Sequence, residues 1–436
     1  MLTLVGILVL VVGLLISIAL HEVGHMVPAK RFGVRVSEYF VGFGPTLWSR
    51  RGRETEYGVK AIPLGGYVRL VGMIPPEDRV KPVRGTGWVA RVIGDAREAA
   101  VEEIQPGEDH RAFYHLAWWK KVIVMMGGPL VNLALAVILF TIVLTTIGAP
   151  TQTLTVGQVV PCVPAAGATE CAAGDPASPA AEAGLEDGDT ITAVDGVPAE
   201  DWQQATAIIA ASPGQTMPLE VLRDGEPLTL SVTPGERERT VTNDAGEPVL
   251  DTSGEPMLET VGYLGVTSEF VTEPQPLTAG AVQTWNYLVA TTEVIVNLPQ
   301  HLWDVTRAAL GLEERSTDSI MGVVGVGRVA GEITSADVEG YGLTEKLGDM
   351  LNLLAGLNLA LFVFNMIPLV PLDGGHVASA LWQGIKNGWA RLRARPAPAP
   401  VDVARMMPLA YGVFGILLVM GVVLIYADIV APVNVL

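Results

Sequence analysis

The sequence predicts a multi-pass α-helical membrane protein. Three features carry this: four long apolar stretches, a sharply uneven spread of basic residues, and one long acidic loop between the second and third stretches. The 436 residues are 50% hydrophobic and only 17% charged. That is too apolar for an ordinary soluble chain of this size. The net charge of −18 excludes nucleic acid as a natural partner.

The four stretches run from about Leu2 to Val27, Val122 to Ile147, Met350 to Leu372 and Leu409 to Ile429. Each approaches or exceeds the roughly 20 apolar residues that a helical span needs. The first is not a secretory signal, since no basic residue precedes it and no small-residue cleavage site follows. A fifth stretch, Ala279 to Leu298, contains Gln283, Asn286, Glu293 and Asn297. It reads as an amphipathic helix lying on the membrane, with Trp285 and Tyr287 at the interface.

Basic residues set the direction. Lys30, Arg31, Arg35, Arg50, Arg51, Arg53, Lys60, Lys120 and Lys121 lie between spans one and two. Lys386, Arg391, Arg393, Arg395 and Arg405 lie between spans three and four. Residues 148–349 hold only seven basic residues against about thirty acidic ones. The positive-inside rule places the basic segments in the cytoplasm, and the acidic loop and both termini outside. Cys162 and Cys171 both fall in that loop, and pair if it faces an oxidising compartment.

At the inner end of the first span stands His21-Glu22-Val23-Gly24-His25. Two imidazoles four residues apart share one helix face and suit zinc, and the Glu between them suits a general base on an activated water. The preceding run from Leu2 to Leu20 has only Thr3 and Ser17 as polar side chains. Ionisable groups at membrane depth default to a functional reading, here a zinc hydrolase whose metal lies within the bilayer. A catalytic zinc needs a third protein ligand. Span three also runs inward and ends at Pro371-Leu372-Asp373-Gly374-Gly375-His376, at the depth of the two histidines. Asp373 is the natural third ligand and His376 the competitor. Asp373 is favoured because the glycine pair after it lets the backbone turn there. His110, His115 and His301 lie outside this cluster and read as surface or interfacial residues.

The HEVGH motif, the stretch Asn365-Met366-Ile367-Pro368-Leu369-Val370-Pro371-Leu372-Asp373-Gly374-Gly375 and the outer loop together resemble the bacterial site-2 proteases. These are the zinc intramembrane proteases of peptidase family M50, like the regulator-of-sigma-E protease. Val41-Gly42-Phe43-Gly44-Pro45 and Ile62-Pro63-Leu64-Gly65-Gly66-Tyr67-Val68 look like that family's β elements, and Gly127-Gly128-Pro129 with Asn132 like the start of its second span. The resemblance implies four transmembrane helices, a cytoplasmic membrane-re-entrant β element and an extracytoplasmic PDZ-like α/β domain in a bacterial plasma membrane. It implies that His21, His25 and Asp373 bind Zn2+, that Glu22 activates water, and that Asn365, Pro368 and Pro371 help hold the substrate. The implied substrates are single-span membrane proteins, such as anti-sigma factors or signal-peptide remnants, screened by the PDZ-like domain.

A peptide bond inside a helical span is hidden until the helix is unwound. A hairpin over Ile62–Leu70 supplies a strand edge for that, with Gly65 and Gly66 permitting a turn or a close backbone approach. In the outer loop, residues 178–196 read as a short helix, a Gly-Asp turn and a strand pairing across Asp195-Gly196. Pro218 to Thr233 read as two strands across Asp224-Gly225.

The expected division is a first span over 1–28, a cytoplasmic β region with an insertion over 29–121, a second span over 122–147 and the PDZ-like domain over 148–272. A membrane-associated amphipathic helical region over 273–349, a third span over 350–373, a cytoplasmic loop over 374–408, a fourth span over 409–429 and an outer tail over 430–436 follow. Within 29–121, the stretch 77–109 matches no assignable element. The competing function is a non-enzymatic membrane scaffold that binds partners through the PDZ-like domain. Zinc content and chelator-sensitive cleavage separate the two.

Overall fold

A computed structural model of the chain describes residues 2–80, 82, 87–163, 171, 175–241, 249–250, 255–313, 315–316, 319–337, 341–396 and 398–433. Parts of the 77–109 insertion and residues 434–436 of the tail lie outside these. The chain forms two compact units, residues 1–147 with 276–436, and residues 148–275. Along the first unit run α1 (Leu2–Arg31), β1 (Val36–Arg51), β2 (Glu56–Leu70), α2 (Trp88–Glu102) and α3 (Trp118–Thr146). The second unit comprises β3 (Ala149–Val159), α4 (Pro179–Glu182), β4 (Thr190–Val194), β5 (Val197–Pro198), α5 (Trp202–Ala210), β6 (Met217–Arg223), β7 (Glu226–Val232), β8 (Gly235–Thr240), β9 (Leu258–Tyr263) and β10 (Val266–Glu273). The first unit then resumes with α6 (Ala279–Val296), α7 (Leu298–Ala309), α8 (Val323–Ser335), α9 (Leu343–Met366), α10 (Asp373–Leu392) and α11 (Met407–Val430).

Four helical segments among the described residues are long and apolar enough to cross a membrane: Leu2–Arg31, Trp118–Thr146, Leu343–Met366 and Val403–Val430. Helices of this kind pack through small residues, because lipid is as apolar as their side chains. Gly24 of α1 and Gly127 of α3 illustrate this. A Cβ on either would stand 2.4 Å or less from the other's carbonyl oxygen. Polar contacts add to the packing where Asn358 Nδ2 of α9 donates to Ser17 Oγ of α1 at 3.0 Å.

The third span ends earlier than expected. Helix α9 stops at Met366, Pro368 and Pro371 follow in a non-helical turn, and Asp373 opens the next helix, α10. Proline lacks the N–H a continuing helix requires, which explains the stop. Gly374 and Gly375 do not make the turn, as they lie inside the first turn of α10. They are bare because residues 366–370 pack against them: a Cβ would meet Ile367 O at 2.4 Å and Val370 N at 2.5 Å. The expected loop over 374–408 is mostly this helix. Residues 77–109, unassigned from sequence, contain the 15-residue α2.

Strands β1 and β2 are both bent and pair twice. Residues 36–41 pair with 66–70 on one side and, from Glu38 to Val41, with 56–59 on the other; residues 46–51 then pair with 56–60. The result is four short strands in the order 66–70, 36–41, 56–60, 46–51. Among the described residues no further strand pairs with 66–70. The sheet docks on α1, where Tyr39 Oη donates to Ala19 O at 2.8 Å. At its outer end Phe43, Leu47, Trp48 and Ile62 are exposed.

Helix α6 packs on α3, where Gly280 meets Thr141 and Tyr287 meets Phe140. Trp285, Val289 and Val296 remain exposed. Helix α8 joins distant parts of the first unit. Its Ala330 and Val329 pack with Leu10 of α1 and Met350 of α9. Its N-terminus is capped by Asp428 of α11, which accepts from Gly325 N at 2.7 Å and pairs with Arg315 at 3.0 Å.

In the second unit the sheet order is β10-β3-β4-β6-β7, with β5 beside β4 and a separate β8-β9 pair. Asp195-Gly196 and Asp224-Gly225 all have positive φ, as two-residue hairpin turns require. Val156, Ile191, Trp202, Leu219 and Val232 form its core. Cys162 and Cys171 are joined in a disulfide.

Candidate metal centre

The HEVGH segment lies in α1, so His21 and His25 are one turn apart on the same face. Asp373, 348 residues beyond His25, arrives from the first turn of α10, and its carboxylate meets both imidazoles. His25 Nε2 stands 3.2 Å from His21 Nε2 and 3.3 Å from Asp373 Oδ2; His21 Nε2 stands 3.4 Å from the same oxygen. Tetrahedral zinc with bonds of about 2.0–2.1 Å demands ligand-to-ligand edges of about 3.3–3.4 Å. The three donors therefore fit three corners of one coordination tetrahedron. Among the described residues, they are the group able to hold a metal ion. His376, the competitor, is not part of it.

Groups behind the imidazoles set their orientation, as they must if both Nε2 atoms are to carry free lone pairs. His25 Nδ1 donates to Val124 O of α3 at 2.8 Å, which leaves Nε2 unprotonated. His21 Nδ1 lies 3.2 Å from the side-chain amide of Asn132, also on α3. Asn132 is fully buried and its Oδ1 has no other hydrogen-bond partner. Turning the amide by 180° aims Oδ1 at Nδ1–H, satisfies the orphaned oxygen and frees His21 Nε2. The buried, unpartnered oxygen is thus explained by a metal-binding tautomer at His21.

Gly128 completes the floor. A Cβ there would stand 2.2 Å from His25 Nε2 and 2.7 Å from His21 Nε2, inside the space between them. Sequence reasoning noted Gly128 and Asn132 only as family-like residues. It assigned no role to Gly128 or Val124, since a carbonyl and a missing side chain leave little trace in a sequence.

Glu22 is buried beside the pair, and Val68 of the neighbouring strand lies close to its carboxylate. Gly66 sits against it: a Cβ would lie 3.4 Å from Glu22 Cγ and 3.0 Å from Ile18 Cγ2. Strand 66–70 thus borders Glu22. Gly65, with φ of 115°, faces Phe43. Asn365 is half-buried in the last turn of α9, and Pro368 and Pro371 are exposed in the turn before Asp373.

Comparison with known proteins agrees with this geometry. The model of peptidase family M50 matches residues 9–409. The chain is 33% identical to the zinc metalloprotease Rip1 of Mycobacterium tuberculosis, over 98% of each chain. It is 28% identical to the metalloprotease MmpA of Caulobacter vibrioides, over 87% of this chain and 88% of that one. To the zinc metalloprotease RasP of Oceanobacillus iheyensis it is 26% identical, over 85% and 88%. With the family model spanning most of its length and a candidate metal-ligand set joining α1 to α10, the chain belongs to peptidase family M50.

Proposed function

We propose that this protein is a zinc-dependent intramembrane endopeptidase that hydrolyses peptide bonds in the transmembrane segments of single-span membrane proteins. The observation that carries the reading is the triangle of His21, His25 and Asp373 donors with edges of 3.2–3.4 Å, built on an apolar helix long enough to cross a membrane. His21, His25 and Asp373 would hold the zinc. Bound there, zinc supplies a Lewis acid that polarises the scissile carbonyl and activates water. Val124 and Asn132 keep both imidazoles in the binding tautomer. Glu22 takes the proton from the attacking water and returns it to the leaving amine, and Gly66 of the neighbouring strand packs against its side chain.

The substrate helix must unwind before its carbonyl is accessible. Among the described residues strand 66–70 has an unpaired edge beside Glu22, which suits an added, extended substrate strand. Gly66 and Gly65 keep that edge close to α1, while Asn365, Pro368 and Pro371 line the approach from α9. The exposed apolar tip of the sheet supports a membrane-re-entrant position.

The distribution of Lys and Arg favours cytoplasmic placement of residues 29–121 and 374–408, with both termini outside. The Cys162–Cys171 disulfide suits an oxidising compartment for residues 148–275. We read that unit as PDZ-like. A groove of about 760 Å³ beside α5, bordered by Ala207, Ala210, Tyr263 and Val266, suits the screening of substrate chains.

The test is Glu22→Gln in the purified full-length chain. We expect zinc content equal to wild type and cleavage of a single-span reporter lowered by about 10²-fold or more. Cutting at the wild-type rate would refute the mechanism.

A further inference from the structure

Helix α2 lies in the insertion for which the proposed protease reading has no use. Its two inward faces look in different directions. Ile93 and Arg97 turn toward the segment before α11, where Arg97 forms a buried ion pair with Asp402. The adjacent face, Ala96, Ala99, Ala100 and Glu103, looks at strand 66–70 across a groove of about 300 Å³. The opposite face is open at Gly94.

Three features of this groove point to an occupant. It continues from the strand edge, unpaired among the described residues, whose Gly66 packs against Glu22. Its helical wall carries only methyl groups at 96, 99 and 100, leaving space for a polypeptide backbone with its side chains. Its mouth is acidic: Glu38 and Glu103 share the single guanidinium of Arg69, at 3.2 and 3.7 Å. A transmembrane segment leaves the membrane on the cytoplasmic side through a flank rich in Lys and Arg.

We propose that α2 and strand 66–70 form a two-sided clamp for the extended part of the substrate between the scissile bond and its basic cytoplasmic flank, with Glu38 and Glu103 receiving that flank. The inference rests on the intramembrane protease reading and adds a specificity element to it. The Arg97–Asp402 pair fixes the outer wall of the clamp, and the alanines set the width of its channel.

The test exploits the absence of free thiols, since both natural cysteines are in the disulfide. Ala99→Cys is placed in the full-length Glu22→Gln chain, and single cysteines are walked along the cytoplasmic side of a reporter span with a Lys-Lys flank. We expect cross-links from Ala99→Cys to a short window before the flank, and none from Gly94→Cys on the opposite face. Equal cross-linking from both positions, or none from Ala99→Cys, would overturn the clamp. In an otherwise wild-type chain in detergent, Ala100→Phe should slow cleavage about tenfold or more with zinc content unchanged. A Lys-Lys flank should be cut about threefold faster than a Gln-Gln flank, and Glu38→Gln with Glu103→Gln should erase that preference. Normal cutting by Ala100→Phe, or a preference untouched by the double substitution, counts against the clamp alone. Failure of the wild-type chain to cut either reporter would remove the protease reading and the clamp with it.

Discussion

Gly128 and His25 meet so closely that a Cβ on the glycine would stand 2.2 Å from the imidazole Nε2. The backbone of α3 therefore forms one wall of the candidate metal centre. Gly128→Ala places a methyl group between the Nε2 atoms of the two imidazoles. We expect zinc content to fall by about 100-fold, and cleavage with it, while the helices remain assembled. Metal analysis and circular dichroism of the purified variant check this.

Asn132 acts through His21. Asn132→Leu removes the side-chain amide that meets His21 Nδ1 and, in the proposed site, sets its tautomer. The expected result is a loss of about 10–100-fold in zinc affinity, measured by competition with a chelator. Activity should return at saturating zinc, which distinguishes this orienting role from damage to the reaction itself.

Gly66→Val should separate zinc binding from substrate alignment. The branched side chain would press on Ile18 and on Glu22, and would push strand 66–70 off α1. Zinc content should stay at the wild-type level while reporter cleavage falls by about 10²-fold. Normal cleavage by this variant would show that the strand edge is not used.

The second unit should carry its own acid sensitivity. Arg223, hydrogen-bonded to Asp189 at 2.7 and 2.8 Å, holds that carboxyl below the usual carboxylate range. The folded-state pKa is depressed, so the stabilisation is fully present above the ordinary Asp pKa of about 3.9 and is lost as pH falls through the lower folded value. Asp189→Asn should therefore destabilise residues 148–275 at pH 7 and flatten the acid limb of their stability profile. Limited proteolysis of the full chain across pH reads both effects.

Asp428→Ala should be among the most damaging substitutions far from the metal. It removes the carboxylate paired with Arg315, which is nearly inaccessible to solvent and keeps only backbone carbonyl partners, and uncaps α8, the helix that packs on α1. Removing one partner of a buried pair costs about 3–5 kcal/mol. Thermal unfolding should show the loss, and Asp428→Leu combined with Arg315→Met should recover part of it.

How far the sequence revealed this depends on where the information sits. His21 and His25 are four residues apart in an apolar run, so helical periodicity alone puts them on one face. Asp373 could be placed beside them by depth, counted from the span ends. Its actual seat was hidden, because Pro368 and Pro371 end α9 early and a new helix carries the carboxylate. Gly374 and Gly375 read as a turn from composition, whereas tertiary packing against residues 366–370 is what excludes a side chain there. Helix α2 escaped notice because Gly94 breaks its pattern and its inward faces mix three alanines with the charged Arg97 and Glu103. The Asp-Gly hairpins of the second unit were legible because those turns need positive φ.

The doubled pairing of β1 and β2 has a consequence for how this family member can vary. Residues 36–41 are laced on both edges, so the alignment of 56–60 and that of 66–70 are fixed by one shared ruler. A single-residue deletion between 60 and 66 would turn the side chains of the edge beside Glu22 to the opposite face. Length in this short stretch should be far less tolerant of change than its side chains, whereas the loop that carries α2 is free to lengthen or shrink without disturbing the weave.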